Sequence, residues 1–224
     1  MLRQLIRRFR KSPLETLSCQ QAYAQWAEQY PAQAHNAFMQ CETAAMQVLM
    51  PDLQDAVVLD LACGTGRWGQ FATEKGARRV IGLDNSPEML KVGVLDNVAQ
   101  SDMDAIPLAD QSVNIILCGL AVGHLPPPRL HKSLTEMARV LQPHGTILIS
   151  DLHPFQAWHG AQRTFTGRDG EIYAVEHYPH SYADYFRIAC SVGLYIDGVV
   201  EQKLSTDKPP VVLALRLKHK AINA

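Results

Sequence analysis

A carboxylate and a glycine-rich turn follow the first strongly apolar run of the chain. The segment VVLDLACGTGRWG, residues 57–69, leads through Asp60 to Gly64 and Gly66. Glycine adopts backbone angles that other residues avoid, and without a Cβ it lets a ligand approach the main chain closely. A helix that follows such a turn offers unpaired N–H groups at its start. The segment therefore predicts a cradle for a small molecule, with a negative charge beside it.

Two kinds of ligand fit parts of this pattern. Gly64, Gly66 and Gly69 match G-x-G-x-x-G, and Asp84 ends the next apolar run, as in a dinucleotide-binding fingerprint. Asp60 argues against that interpretation, because a diphosphate at this turn would be repelled by its carboxylate. A cationic or zwitterionic ligand would instead be attracted. The residues thus favour a positively charged cofactor over NAD, which stays the alternative.

The order of motifs beyond the turn resembles a known family. Asp60-x-Ala62-x-Gly64-x-Gly66 is similar to motif I of class I S-adenosylmethionine (SAM) methyltransferases, with Ala62 in place of the first glycine. Residues 56–155 as a whole resemble the methyltransferase type 11 group. The other segments that carry the resemblance are VIGLDNSPEML (80–90), SDM (101–103) with IPL (106–108), VNIILCGLAVGHL (113–125) and LTEMARVLQPHGTILIS (134–150).

The resemblance implies a role for each residue of the cofactor site. Asp60 is expected at the methionine end of SAM and Asp84 at the ribose hydroxyls, since a carboxylate offers two acceptor oxygens. Asp102 is expected to accept from the adenine amino group. The complete set of predicted cofactor residues is Asp60, Ala62, Gly64, Gly66, Asp84, Asn85, Met89, Asp102, Met103 and Cys118.

Histidines are the candidates for chemistry at the acceptor. Methyl transfer needs a general base only when the acceptor is protonated at working pH. His124 follows the predicted fourth strand and His153 follows the fifth, so we predict both as catalytic residues, with structural histidines as the alternative. No metal site is predicted, because the histidine spacing matches no standard pattern. Lid or substrate contacts are predicted at Tyr23, Tyr30, His177, Tyr178 and His180.

The elements that must position these residues alternate between apolar strands and amphipathic helices, which is typical of a parallel sheet covered on both faces. Together with the resemblance, this predicts an α/β, Rossmann-like sheet of seven mostly parallel strands in the order 3-2-1-4-5-7-6, with strand 7 antiparallel. Two helices are predicted first, near residues 14–29 and 35–50. The predicted strands are 56–61, 79–84, 97–101, 113–119, 145–152, 193–202 and 210–218.

The chain is predicted to be a single methyltransferase domain, residues 1–224. Its predicted parts are an N-terminal helical lid (1–50), a SAM-binding core (51–154), an insertion over the site (155–180), and a C-terminal helix and hairpin (181–224). The insertion fits no regular element well. The basic segment 1–11 is left without a role.

Composition limits the partners that we expect. A formal net charge of −1 disfavours nucleic acid, and no apolar run is long enough for a transmembrane segment. Five scattered cysteines without a C-x-x-C pair indicate free thiols and a cytoplasmic protein. The oligomeric state stays open.

The sequence therefore predicts a SAM-dependent methyltransferase that acts on a small-molecule or carrier-protein-bound acceptor. The alternatives are an NAD-dependent oxidoreductase and a SAM-binding protein without catalysis. A carrier-protein acceptor would favour a basic rim around the pocket. The candidates for such a rim are Arg129, Lys132, Arg163 and Arg168.

Overall fold

A computed structural model describes residues 14–220, so the basic segment 1–11 lies outside the described residues. The strands are β1 (Thr16–Leu17), β2 (Val57–Leu61), β3 (Arg79–Asp84), β4 (Val98–Gln100), β5 (Val113–Gly119), β6 (Leu141–Leu152), β7 (Thr164–Thr166), β8 (Ile172–Val175), β9 (Leu194–Lys203) and β10 (Pro210–His219). The helices are α1 (Cys19–Trp26), α2 (Ala37–Leu49), α3 (Arg67–Glu74), α4 (Pro87–Val92), α5 (Pro127–Val140), α6 (Pro154–Trp158) and α7 (Tyr182–Ser191), with 3-10 turns at Ala27–Gln29 and Val122–His124.

Seven strands form the main sheet, in the order β4-β3-β2-β5-β6-β10-β9. This order confirms the predicted 3-2-1-4-5-7-6. Strands β4 through β6 pair in parallel, whereas β10 pairs antiparallel with both β6 and β9. In parallel sheets of this kind, ligands lie beyond the carboxyl ends of the strands. Asp60 and Asp84 stand at or next to those ends, on neighbouring strands.

Alternating side chains of the central strands bury two separate cores. Leu59 and Leu61 of β2 pack on one face with α5 residues such as Leu130, while Val58 packs on the other face with α2 residues such as Met46. Period-two alternation is what places successive strand residues on opposite faces. The sheet is therefore covered by helices on both sides, and its loop ends are left to form the site.

A second, three-stranded sheet with the order β1-β8-β7 was not predicted. The predicted helix over residues 14–29 begins later, at Cys19, because Thr16–Leu17 pairs in parallel with Ala174 and Val175 of β8. Residues 155–180, which fit no regular element in the sequence, contain α6, β7 and β8. Helix α1 packs on this small sheet, where the rings of Trp26 and Phe165 stack.

Candidate functional site

The glycine-rich turn after β2 is a left-handed backbone segment. Ala62, Gly64 and Gly66 have φ values of 57°, 54° and 95°. A Cβ at Gly64 would meet nothing within 4 Å, whereas a Cβ at Gly66 would stand 2.7 Å from Cγ of Leu95. Gly64 therefore keeps space open on the ligand side, and Gly66 allows the loop around Leu95 to approach closely from behind. Ala62 takes its left-handed angle at the position where motif I usually has glycine.

Asp60 is buried at the base of this turn. It is 2% exposed, and its Oδ2 accepts a hydrogen bond of 2.6 Å from the backbone N–H of Gly69 in α3. Burial raises the pKa of the Asp60 carboxyl to about 7, against the lowering effect of the Gly69 N–H and of nearby Arg67. A cation placed beside a buried acid of this kind stabilises its ionised form.

Asp84 connects the glycine-rich turn to the start of α4. Its Oδ2 accepts from the Gly64 N–H at 2.7 Å and its Oδ1 from the Ser86 N–H at 2.8 Å. Burial raises the pKa of Asp84, although both hydrogen bonds act in the opposite direction. An ionised carboxylate has about four acceptor positions. Asp84 therefore holds the turn in place and still has capacity for two ligand hydroxyls.

A third carboxylate stands after β4. Asp102 lies 3.5 Å from the side-chain amide of Asn85 and 3.1 Å from a guanidinium nitrogen of Arg129, which also binds Asp104 at 2.7 Å. The three carboxylates thus lie at or just after the carboxyl ends of β2, β3 and β4, the three neighbouring strands at one side of the sheet.

These carboxylates line one cavity of about 720 Å³ among the described residues. Ligand pockets commonly have volumes of roughly 300–1,000 Å³. Twelve of the predicted site residues line it, and the list is Tyr23, Tyr30, Asp60, Ala62, Gly64, Asp84, Asn85, Met89, Asp102, Met103, His124 and Tyr178.

The other predicted site residues do not line this cavity. Gly66 lies behind the turn, and Cys118 is buried with its thiol toward Met103. His153 caps α6, where its Nδ1 accepts from the Phe155 N–H and its Nε2 lies 2.9 Å from Glu201. His180 Nε2 lies 2.9 Å from the carbonyl of Leu125, and His177 Nε2 lies 3.4 Å from Asp151. The geometry gives His153, His177 and His180 structural contacts instead of a place at the ligand.

His124 stands in the cavity wall, but its basicity is suppressed. Its Nδ1 lies 2.7 Å from the carbonyl of Glu176, which can only accept, so Nδ1 carries the proton and Nε2 is the acceptor. Nε2 faces Arg163 at 3.0 Å and the hydroxyl of Tyr23 at 3.3 Å. Burial and then the charge of Arg163 lower the pKa of His124 to about 3. His124 is therefore a neutral acceptor that contacts Tyr23 and Arg163, and its role as a general base stays a prediction.

Arg163 connects helix α1 to the core. Its guanidinium donates to the Leu120 carbonyl at 2.7 Å and to the Tyr23 hydroxyl at 3.2 Å, and it lies 3.7 Å from Asp151. Burial disfavours the Asp151 charge, but the hydrogen bond from His177 and the charges of His177 and Arg163 hold the pKa of Asp151 well below its usual range. The network fixes Tyr23 against the segment after β5.

A buried carboxylate on α2 supports the glycine-rich turn from behind. Glu42 is fully buried and accepts from the Trp68 indole at 3.1 Å, the Ser150 hydroxyl at 2.6 Å and the Arg67 guanidinium at 2.7 Å. Arg67 and Trp68 are the first two residues of α3. Glu42 therefore fixes the helix start to which the turn leads.

Sequence reasoning missed Glu42, Thr65 and Glu176, and it named Arg163 only as a candidate for the basic rim. Glu42 and Glu176 had no local signal, because each is linked to the site by contacts across long stretches of chain. Thr65 lines the cavity and has a buried hydroxyl without a hydrogen-bond partner among the described residues. Its position inside the glycine-rich motif was the only signal that marked it.

The predicted basic rim is largely neutralised. Arg129 binds Asp102 and Asp104, Arg163 is buried beside Asp151, and Arg168 lies 3.3 Å from Glu28. Lys132 is exposed on α5.

In the described part of the chain, no group of three or more His, Cys, Asp or Glu side chains is arranged to hold a metal ion. No helix of that part is both long and apolar enough to cross a membrane.

Asp60 predicts how cofactor binding depends on pH. The pKa of Asp60 is about 7 in the folded protein without ligand, above the usual 3.8. Between these two pH values the folded protein keeps a proton on Asp60 that the unfolded chain has lost. The folded protein therefore loses stability as pH rises from 3.8 to 7. A bound cation favours the ionised carboxylate. We therefore expect the affinity for a cationic ligand to rise between pH 5.5 and 7.5, with proton release on binding.

Calorimetry in buffers of different ionisation enthalpy measures this proton release. Asp60→Asn is the matched variant, because it keeps the size of the side chain and removes the titration. Equal pH dependence in the wild type and in Asp60→Asn would contradict the assignment to Asp60 and place the titration on the ligand.

The fold and the three carboxylates define a Rossmann-like domain that binds a nucleoside, with hydrogen-bond acceptors where a dinucleotide-binding protein places its phosphates. Comparison with known proteins agrees with this class. Residues 58–145 match the family model described as a methyltransferase domain. Over these residues the chain is similar to methyltransferase domains.

Relatives of known name match part of the chain. A malonyl-[acyl-carrier protein] O-methyltransferase of Yersinia pestis is 38% identical over 136 residues, which is 58% of this chain and 49% of that protein. A demethylmenaquinone methyltransferase of Renibacterium salmoninarum is 35% identical over 103 residues, 43% of this chain and 42% of that protein. The chain thus spans about half the length, or less, of these two relatives.

Solved structures share the fold over most of the chain. An S-adenosylmethionine-dependent methyltransferase from Mesorhizobium loti has a TM-score of 0.68 at 18% identity and covers 80% of this chain and 98% of its own. The DhpI-SAM-HEP complex has a TM-score of 0.69 at 22% identity and covers 88% and 94%. At these identities the similarity concerns the fold alone.

Proposed function

We propose that this protein transfers a methyl group from SAM to a small-molecule or carrier-bound acceptor. The observation that carries the proposal is the row of carboxylates Asp60, Asp84 and Asp102 along a single cavity. SAM presents a sulfonium, an ammonium, two ribose hydroxyls and an adenine amino group, which all match acceptor oxygens. NAD would bring a diphosphate toward Asp60, where like charges repel.

The residues of the cavity fit SAM in an ordered way. Asp60 would hold the cationic methionine end, and Asp84 would accept from the ribose hydroxyls. Asp102 would accept from the adenine amino group, and Gly64 leaves the space that a side chain would fill. Thr65 offers its unpartnered hydroxyl to the same end of the ligand. When bound, SAM supplies a methyl group on a leaving group that needs no further activation.

We place the acceptor where Tyr23, His124 and Tyr178 line the cavity. The Tyr23 hydroxyl lies 3.3 Å from His124 Nε2, and the Tyr178 N–H donates to the carbonyl of Gly123, the neighbour of His124. Positioning the acceptor in line with the methyl group can lower the barrier by about 7–11 kcal/mol. Tyr23 is held there by His124 and Arg163, which gives the lid a fixed contact instead of a loose one.

Titration calorimetry with SAM, S-adenosylhomocysteine and NADH tests the proposal. We expect both SAM and S-adenosylhomocysteine to bind and NADH to show no heat of binding. Binding of NADH alone would contradict the proposal and support the dinucleotide interpretation. Transfer of a labelled methyl group to acceptors then separates an enzyme from a non-catalytic binding protein.

The histidine geometry predicts an unusual result for a methyltransferase site. His124→Gln should leave the pH dependence of methyl transfer unchanged between pH 6 and 8, because burial and Arg163 lower the pKa of His124 to about 3. His153→Ala should leave it unchanged as well, because His153 does not line the cavity. The rate of His124→Gln should fall, since Tyr23 loses a contact. A pH profile that changes in either variant would restore that histidine as the base.

The support for a carrier-bound acceptor comes from the relatives alone. Several proteins that the chain resembles are named as malonyl-[acyl-carrier protein] O-methyltransferases, and this supports a carrier-bound acceptor. The ion-paired state of Arg129, Arg163 and Arg168 favours a small molecule instead. We also propose a cytoplasmic location, supported by five cysteines that form no disulfide.

A further inference from the structure

The acceptor end of the cavity carries a carboxylate that sequence analysis did not single out. Glu176 follows β8 and lines the cavity together with Tyr178. The Tyr178 hydroxyl donates to Glu176 Oε1 at 2.5 Å. Both residues thus place polar atoms beside the space that we assign to the acceptor.

The backbone around Glu176 is held on both sides. Its N–H donates to the Leu17 carbonyl in β1 at 2.9 Å, and its carbonyl lies 2.7 Å from His124 Nδ1. Two residues on, the Tyr178 N–H donates to the Gly123 carbonyl at 2.6 Å. The side chains of Glu176 and Tyr178 are therefore presented from a fixed strand end next to His124, and not from a free loop.

Charges around this end leave the Glu176 carboxylate without a matching cation. His124 is neutral, because burial and Arg163 lower its pKa to about 3. Arg163 itself is buried behind the wall, where it faces Asp151 and Tyr23. Among the described residues that line the cavity, the arginines are Arg67 and Arg129, and each is already paired with a carboxylate.

We propose that Glu176 selects the methyl acceptor by binding an amine that the acceptor carries as the ammonium ion, apart from the atom that takes the methyl group, and not a carboxylate. An ammonium ion would pair with Glu176 Oε2 while Tyr178 holds Oε1. A carboxylate acceptor would face Glu176 with like charge and with no free cation among the described lining residues. This inference rests on the proposed methyl transfer, and it narrows the class of substrate.

Binding of two matched probes tests the inference. Hexylammonium and hexanoate have the same chain and opposite charge, and each is titrated into the protein loaded with S-adenosylhomocysteine. We expect hexylammonium to bind at least about tenfold more tightly, as expected for one close charge pair at a partly exposed site. Glu176→Gln should abolish this preference and leave the affinity for S-adenosylhomocysteine unchanged.

Glu171→Gln is the matched control, because Glu171 is an exposed glutamate just before β8 that does not line the cavity. It should keep the preference of the wild type. Equal binding of the two probes to the wild type, including no binding of either, would overturn the inference. A preference that persists in Glu176→Gln would overturn it as well. Failure of S-adenosylhomocysteine to bind would instead contradict the proposed function.

Discussion

Replacing Asp84 by alanine should weaken the binding of SAM and of S-adenosylhomocysteine by about 1–3 kcal/mol, which is roughly 5- to 150-fold. The ribose hydroxyls would lose their acceptor. In addition, the N–H groups of Gly64 and Ser86 would lose the carboxylate oxygens that they bind at 2.7 and 2.8 Å. The glycine-rich turn and the start of α4 would then be free to separate. Calorimetry with both ligands measures the loss.

Two further variants separate ligand contact from loop support. Asp84→Asn keeps one acceptor oxygen, so it should lose less affinity than Asp84→Ala. Asp96 is an exposed aspartate before β4, and Asp96→Ala should bind like the wild type. If Asp84→Ala and Asp96→Ala both bound with wild-type affinity, the cofactor would not contact Asp84. The assignment of Asp84 to the ribose hydroxyls would then be wrong.

The parts of the fold that the sequence predicted are those that local patterns determine. Nearly continuous apolar runs mark β2, β3 and β5, and Pro87 after Ser86 marks the start of α4, where Ser86 is the N-cap. The strand order followed from the family resemblance. Strand β6 begins at Leu141, four residues before the predicted boundary at 145, because Leu141 pairs with Val113 directly after α5.

The parts that the sequence did not predict depend on contacts between distant segments. Strand β1 has two residues, too few for any periodicity, and it exists because Thr16 and Leu17 pair with β8 more than 150 positions away. Tyr23 and Arg163 are separated by 140 positions. In the sequence Arg163 is only a candidate for the basic rim, and the burial of His124 beside Arg163, which lowers the pKa of His124, is visible only in the structure.

The same limit explains why Asp60 and Asp84 line the cavity, whereas His153 does not. Asp60 and Asp84 sit in motifs whose spacing fixes their place at strand ends. The position of His153 after β6 predicted a place on the ligand side, but the chain enters α6 there and turns its ring toward Phe155 and Glu201. A strand end defines a side of the sheet, and the next element decides where the side chain points.

Glu42→Ala should lower the free energy of unfolding by about 3–5 kcal/mol, as breaking a buried ion pair by removing one partner does. The substitution leaves Arg67, the Trp68 indole and the Ser150 hydroxyl without their shared acceptor in a fully buried position. Because Arg67 and Trp68 begin α3, the glycine-rich turn should lose its fixed end, and SAM affinity should fall together with stability. Urea unfolding with and without SAM measures both effects.

Glu42→Gln is the companion variant if Glu42→Ala does not fold. It keeps an acceptor for Trp68 and removes the charge that pairs with Arg67, so its loss of stability should be smaller. Glu74→Ala changes an exposed glutamate of α3 that contacts only Gln70 in the described structure, and it should stay within about 0.5 kcal/mol of the wild type. Equal stability of Glu42→Ala and Glu74→Ala would show that the buried carboxylate does not support the turn. A loss of stability without a loss of SAM affinity would show that Glu42 stabilises the fold while the turn keeps its shape without it.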